Sequence, residues 1–312
     1  MEKIKEMRDE RLGMRDCEQI IPNTQSIISH PQSLIHNPSI SLRNVAVGYG
    51  KKVVMSGITA DIYQGELTCI IGDNGVGKST LLRTLAGFQP CLQGEISFFG
   101  HSIDTFSRHR LARMIGVVLT ERPDVENLTV EEIVSLGRTP YTGFWGLLSK
   151  EDHKVVHEAL HTVGIDGMAG RMIHTLSDGE RQKVMIAKAL AQQTQIIFLD
   201  EPTAFLDFTS KVETLRLLGT LARDMGKTVL LSTHDVEIVL QIADRLWIIE
   251  DKPSTSNVQS SPSNVQRSTF NVQRSILVGS PRELADKGII SQFVERDGIT
   301  FDEKTLGIKV DK

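Results

Sequence analysis

Gly72-Asp-Asn-Gly-Val-Gly-Lys-Ser-Thr80 is the stretch that decides how this chain is read. The apolar run 67–71 before it predicts a buried strand. The run 81–85 after it predicts the start of a helix, so the glycines fall in a strand–loop–helix setting. Gly72, Gly75 and Gly77 let the backbone curl until successive N–H groups point at one anion, and the helix N-terminus adds its partial positive charge. Lys78 has the reach for the outer phosphates of a nucleoside triphosphate, and the Ser79 hydroxyl suits Mg²⁺. The whole loop, with Asn74, Val76 and Thr80 among its members, is the candidate triphosphate-binding element. A Gly-rich turn without a ligand is the plainer alternative.

Size and charge narrow the partners. The 312 residues carry 35 basic and 39 acidic side chains, a net charge of −4, with no basic stripe. Nucleic-acid binding usually needs clustered Lys and Arg to displace counterions, so no nucleic-acid partner is expected. Cys17, Cys69 and Cys91 lack metal-ligand spacing and fit a reducing cytosol. No apolar run approaches the length of a membrane span, and the N-terminus lacks the apolar core of a signal peptide. The expectation is a soluble chain that meets a membrane only through a partner.

Residues 1–38 alternate charged and polar stretches with prolines at 22, 31 and 38, and are read as a weakly ordered extension with room for a short helix. Residues 39–250 change character. Strands are predicted at 41–47, 94–99, 115–119, 196–199, 229–232 and 246–250, alternating with helical patterns, which argues for an α/β domain with a largely parallel sheet. Between about 122 and 175 the signal is helical. Thr129-Val-Glu-Glu132 and Ser149-Lys-Glu-Asp152 read as helix N-terminal caps, and Gly164 as a helix end. In 251–275, Asn-Val-Gln recurs at 257, 264 and 271 amid Ser and Pro, a duplication that lengthens a surface hairpin between 246–250 and 275–278. Residues 276–312 form a C-terminal segment.

Ile196-Ile-Phe-Leu-Asp200-Glu201 is an apolar strand ending in two carboxylates. Asp200 can hold Mg²⁺ beside Ser79, and Glu201 can orient or deprotonate a water; a helix cap is the bland alternative. Leu176-Ser-Asp-Gly-Glu-Arg-Gln182 satisfies a capping box, Ser177 with Glu180. It equally suits a second anion site built from the Ser177 hydroxyl, the Gly179 N–H and the helix dipole. One chain cannot easily bring this element and its own glycine loop to one nucleotide, which points to a two-fold dimer with shared sites.

These stretches, with the turn Ala204-Phe-Leu-Asp207 and Ser232-Thr-His234-Asp235, resemble the nucleotide-binding subunit of ATP-binding-cassette (ABC) transporters over about 40–250. The resemblance implies a P-loop NTPase (RecA-like) core, Walker A at the glycine loop, with a small antiparallel β subdomain and an inserted α-helical subdomain. It also implies ATP and Mg²⁺ as ligands. By position, Tyr49 stacks on adenine, Lys78 grips the terminal phosphates, Ser79 and Asp200 handle Mg²⁺, and Glu201 is general base. His234 holds the γ-phosphate and Glu201 in place, Ser177 and Gly179 serve the ATP of a second copy, and Asp207 lines the seam. Singly, Tyr49 is also a turn aromatic, His234 a strand-end histidine and Asp207 a cap.

Leu136-Gly-Arg-Thr-Pro-Tyr141-Thr-Gly-Phe-Trp-Gly-Leu-Leu148, followed by Ser149-Lys-Glu-Asp152, is similar to the import ATPases for iron-siderophore, haem and cobalamin complexes. That branch implies a homodimer on the cytoplasmic face of the plasma membrane, under permease subunits fed by a substrate-binding protein. Tyr141, Phe144, Trp145 and Leu147 suit either a hydrophobic partner surface or local packing. An exporter subunit and a soluble, non-transport ABC ATPase are the alternatives. Two departures stand out: Thr120-Glu121 replaces the usual Gln after the strand at 115–119, and Asp178 stands where Gly is common.

Overall fold

The computed structural model describes residues 37–120, 127–143, 145–252 and 273–310. The extension 1–38 lies outside the described residues up to 36, as do Glu121, Phe144 and residues 253–272 of the repeat stretch.

A six-stranded sheet forms the centre, in the order β10-β9-β3-β8-β7-β6. Its members are β3 (Leu67–Ile71), β6 (Ile115–Val118), β7 (Ile196–Asp200), β8 (Thr228–Ser232), β9 (Arg245–Lys252) and β10 (Gln273–Gly279). All neighbours pair parallel except β10, which runs antiparallel to β9 at the edge. Lys252 pairs with Gln273, so the strands expected to flank the repeat stretch do form a ladder. The strands are apolar throughout because both faces are covered. Leu67, Cys69, Ile71, Ile197, Leu199, Val229 and Leu231 face one core. Ile70, Ile196, Phe198, Leu230 and Trp247 face the other.

The second core is closed by helix α1 (Lys78–Leu85) and by a four-stranded antiparallel sheet, β2-β1-β4-β5. Its strands are β1 (Ile40–Tyr49), β2 (Lys52–Ile62), β4 (Gln93–Phe98) and the short β5 (His101–Ser102). Strand β2 departs from the sequence expectation, which placed no element there. Its pairing with β1 shifts register repeatedly between Leu42 and Gly48, so the buried residues Met55, Ile58, Ala60 and Ile62 do not keep a period of two throughout.

After β5 comes α2 (Arg108–Met114), and after β6 the helical region, with α3 (Val130–Ser135) and α4 (Lys150–Thr162) packed on α5 (Asp178–Ala191). The three caps expected from sequence are capping boxes: Thr129 with Glu132, Ser149 with Asp152, and Ser177 with Glu180. Gly164, with φ 73°, stops α4 as expected; its N–H donates to the His161 carbonyl and the Ile165 N–H to that of Leu160. The chain continues through α6 (Phe208–Arg223), α7 (Val236–Ile242), α8 (Pro281–Asp286), α9 (Ile289–Val294) and the hairpin β11 (Ile299–Asp302)–β12 (Gly307–Val310).

Arg138 is the joint between the helical region and the sheet. Its Nε donates to Asp152 Oδ1 at 2.8 Å, while Nη1 donates to the Ala191 carbonyl and to Gln193 Oε1, each at 2.8 Å. The guanidinium lies 4.0 Å from the centre of the Tyr141 ring, with Arg113 on the same ring at 4.8 Å. Tyr141 Oη donates to the Gln192 carbonyl at 3.0 Å. The expectation of a partner-facing Tyr141 is therefore corrected: it is packing. Trp145 and Leu147 are 82% and 79% exposed.

The Ser149 hydroxyl and N–H, and then Arg138, hold the Asp152 carboxyl down to about 2, from an ordinary 3.8. A depressed folded-state value contributes stability that is present above the unfolded value and lost as pH falls through the folded one. In urea denaturation, Asp152→Asn is therefore expected to be less stable than the parent by a constant gap above the ordinary carboxylate range. That gap closes as pH falls from 3.8 toward about 2. A gap independent of pH would assign the loss to something other than the charge.

Candidate functional site

In a parallel sheet the segments leaving the carboxyl ends of neighbouring strands converge. Here β3 is followed by the glycine loop, β8 by Thr233 and His234, β7 by Glu201, and β6 by Thr120. Strand order β3-β8-β7-β6 thus places the sequence-distant motifs side by side.

The loop is shaped by its glycines most clearly at Gly77, the N-cap of α1. There φ is 106°, and an added Cβ would come within 2.5 Å of Val54 Cγ1. Lys78 is 5% exposed, and its Nζ donates to the carbonyls of Gly72 (2.8 Å) and Asp73 (3.1 Å). Burial pulls its ammonium below the ordinary lysine range, opposed by the nearby carboxylates of Glu201, Asp200 and Asp73. A cavity of about 260 Å³ opens over this loop, lined by Tyr49, Asn74, Gly75, Gly77, Lys78, Ser79, Thr80 and Glu201. Thr80 Oγ1 donates to Tyr49 Oη at 3.1 Å. Lys52 and Val54, which sequence reading missed, also line it, because the unexpected β2 runs past its mouth. The Val76 side chain is instead part of the core beneath, leaving only its backbone for a ligand.

Asp200, 7% exposed, is the hub of the far wall. Its Oδ1 accepts from Ser79 Oγ at 3.0 Å and from Ser232 Oγ at 2.7 Å. Ser232 is fully buried and also accepts the Glu201 N–H at 3.0 Å. It orients both carboxylates, a role the sequence signalled only through its place in the Ser-Thr-His-Asp stretch. Glu201 has φ 50°, and its Oε1 lies 2.6 Å from His234 Nε2. With Glu201 ionised, this contact places the ring proton on Nε2. Thr120 Oγ1 donates to the Asp200 carbonyl at 2.7 Å, so this departure from the usual Gln braces the strand end that carries the carboxylates.

Gly72 and His234 line a second cavity, also about 260 Å³, on the other side of the loop. Its floor is Val236 with Phe293, Val294, Ile299 and Ile308 of the C-terminal segment. Arg296 lies on its rim, 3.7 Å from Asp73. Ser177 and Gly179 line neither cavity. They open α5, with Ser177 accepting from the Glu180 N–H and Asp178 turned toward Arg181. The Ser177 N–H holds the Glu180 carboxyl below its usual range. Asp207 caps α6, accepting from the Ser210 N–H at 3.0 Å. Among the described residues no cluster of His, Cys, Asp and Glu forms a self-sufficient metal site. No helix among them is long and apolar enough to cross a membrane.

Comparison with known proteins agrees with this geometry. The sequence profile described as "ABC transporter" matches residues 55–204. The chain is 42% identical over 208 residues to the uncharacterized ABC transporter ATP-binding protein MJ0873 of Methanocaldococcus jannaschii, covering 67% of this chain and 72% of that protein. It is 38% identical over 202 residues to the ferric enterobactin transport ATP-binding protein FepC of Escherichia coli, covering 65% and 74%. Among solved structures, the dimeric ABC transporter cassette MJ0796 aligns with a TM-score of 0.58 at 29% identity, covering 67% of this chain and 93% of that one. The same cassette is known as a dimer in a post-hydrolysis state bound to ADP and Pi.

Proposed function

We propose, from the premise that this chain belongs to the ABC transporter ATP-binding family, that it powers import of a metal chelate: an iron siderophore, haem or a cobalamin-type complex. Like its family it is an ATP hydrolase. In this reading it works as a homodimer on the cytoplasmic face of a membrane, beneath permease subunits supplied by a substrate-binding protein. The observation that carries the chemistry is the 2.6 Å contact of His234 with Glu201 beside the Lys78 loop.

The residues divide the work as follows. Tyr49 stacks on the adenine. The loop of Gly72, Asn74, Gly75, Val76, Gly77, Ser79 and Thr80 surrounds the phosphates, and Lys78 exchanges its carbonyl partners for phosphate oxygens. Ser79 and Asp200 offer hydroxyl and carboxylate oxygens, the hard donors that Mg²⁺ takes. When bound, that ion spreads the charge of the β- and γ-phosphates. Glu201 accepts the proton of the attacking water, and His234 keeps that carboxylate aimed. Ser177 and Gly179 face the nucleotide of the second copy, and Asp207 lines the seam.

The cargo class is supported by the stretch 136–152 and by relatives such as the ferric enterobactin protein. It is tested in cells whose own copy carries Lys78→Ala. Uptake of a radio-iron siderophore is expected to fall to background. Loss of labelled haem or cobalamin uptake instead moves the cargo within the class. Unimpaired uptake of all three overturns import.

A further inference from the structure

Two features of this chain fit each other across a dimer. The first is an aromatic knob. In the turn between β7 and α6, Thr203 and Leu206 are buried (1% and 9% exposed), whereas Phe205 between them is 74% exposed. Its φ is 65°, a left-handed backbone that costs a bulky residue about 1–3 kcal/mol. The turn therefore holds this ring outward against its local preference. The second feature is the cavity beside the glycine loop, with its apolar floor of Phe293, Val294, Ile299 and Ile308. Its volume of about 260 Å³ exceeds the ~150 Å³ that accommodates a benzene ring.

Rigid geometry links the knob to the dimer face. The starts of α5 and α6 touch so closely that a Cβ on Gly179 would lie 2.8 Å from Ser210 Oγ. Ser177, Gly179 and the Phe205 turn consequently move as one piece. The two cavities flank the same loop, the first over Asn74–Ser79 and the second over Gly72 and Asp73. A second copy that sets Ser177 against the first flank therefore brings its Phe205 turn to the second.

We propose that in the dimer each copy's Phe205 ring seats in the other's cavity between the glycine loop, His234 and the C-terminal segment. The occupant is a second copy of this chain, and by two-fold symmetry there are two seats. The seat ties α9 and the β11–β12 hairpin to closure, a task the nucleotide-site residues leave to them.

This inference rests on the dimer reading, and the test separates the two. In a Cys17→Ser, Cys91→Ser, Glu201→Gln background, Phe205→Cys combined with Ile308→Cys is expected to give an ATP-dependent disulfide-linked dimer. A control pair, Ser177→Cys with Asn74→Cys, reports the dimer reading itself. Cross-linking of the control but not of the Phe205 pair overturns the seat and keeps the dimer. Failure of both, with no ATP-dependent dimer by light scattering, overturns both. Separately, Phe205→Ser is expected to raise the ATP concentration for half-maximal dimerisation on the order of tenfold, the scale of burying one phenyl ring, with Phe205→Tyr restoring most of it. An unchanged midpoint counts against the seat.

Discussion

Replacing Glu201 by Gln is expected to leave ATP binding intact while lowering steady-state hydrolysis on the order of 10²- to 10⁴-fold, the range of a lost general base. The substitution keeps size and shape. The backbone N–H of residue 201 still donates to the Ser232 carbonyl and hydroxyl, at 3.1 and 3.0 Å. What disappears is an oxygen able to take a proton, and with it the ionic contact to His234 at 2.6 Å. Since binding is retained and cleavage is not, the ATP-bound dimer accumulates. Phosphate release and light scattering with ATP read the two effects. Ordinary turnover in this variant would remove Glu201 from the role of base, whatever the state of the dimer.

Arg138→Met is expected to destabilise the fold by about 3–5 kcal/mol, the cost of breaking a buried ion pair from one side. The Arg138 and Asp152 side chains are 6% and 11% exposed. Methionine fills the space of the stem but donates nothing to Asp152, Ala191 and Gln193, and forfeits the charge against the Tyr141 ring. Arg138→Lys restores only part of the loss, because a single ammonium cannot reproduce three contacts made by a planar fork. Urea midpoints at neutral pH check this. A loss below about 1 kcal/mol, the range of an exposed pair, would show that the joint adds nothing beyond a surface contact.

Chemistry written in contiguous residues was legible before any coordinates. The glycine loop, the two carboxylates ending β7 and the Ser-Thr-His stretch each carry a local pattern, and strand order brings them together. The three capping boxes were legible for the same reason: each needs only residues three apart. Strand β2 was not, because register shifts in its pairing with β1 break the alternation that identifies a strand. Tyr141 was read among its aromatic neighbours as surface or packing, and its arginine partners at 113 and 138 decided for packing. The cavity floored by Phe293 and Ile308 had no sequence signature. Its walls come from segments near 72, 234 and 300, which meet only after the sheet is assembled.

The two carbonyl contacts of the Lys78 ammonium give capture of a nucleotide the character of an exchange. A cation already seated trades old acceptors for new ones, so the arriving anion gains less than its bare charge suggests. The same trade runs backwards once the terminal phosphate has left. A grip that always has somewhere else to go lets spent nucleotide depart quickly, which is what a motor that must reset on every stroke requires.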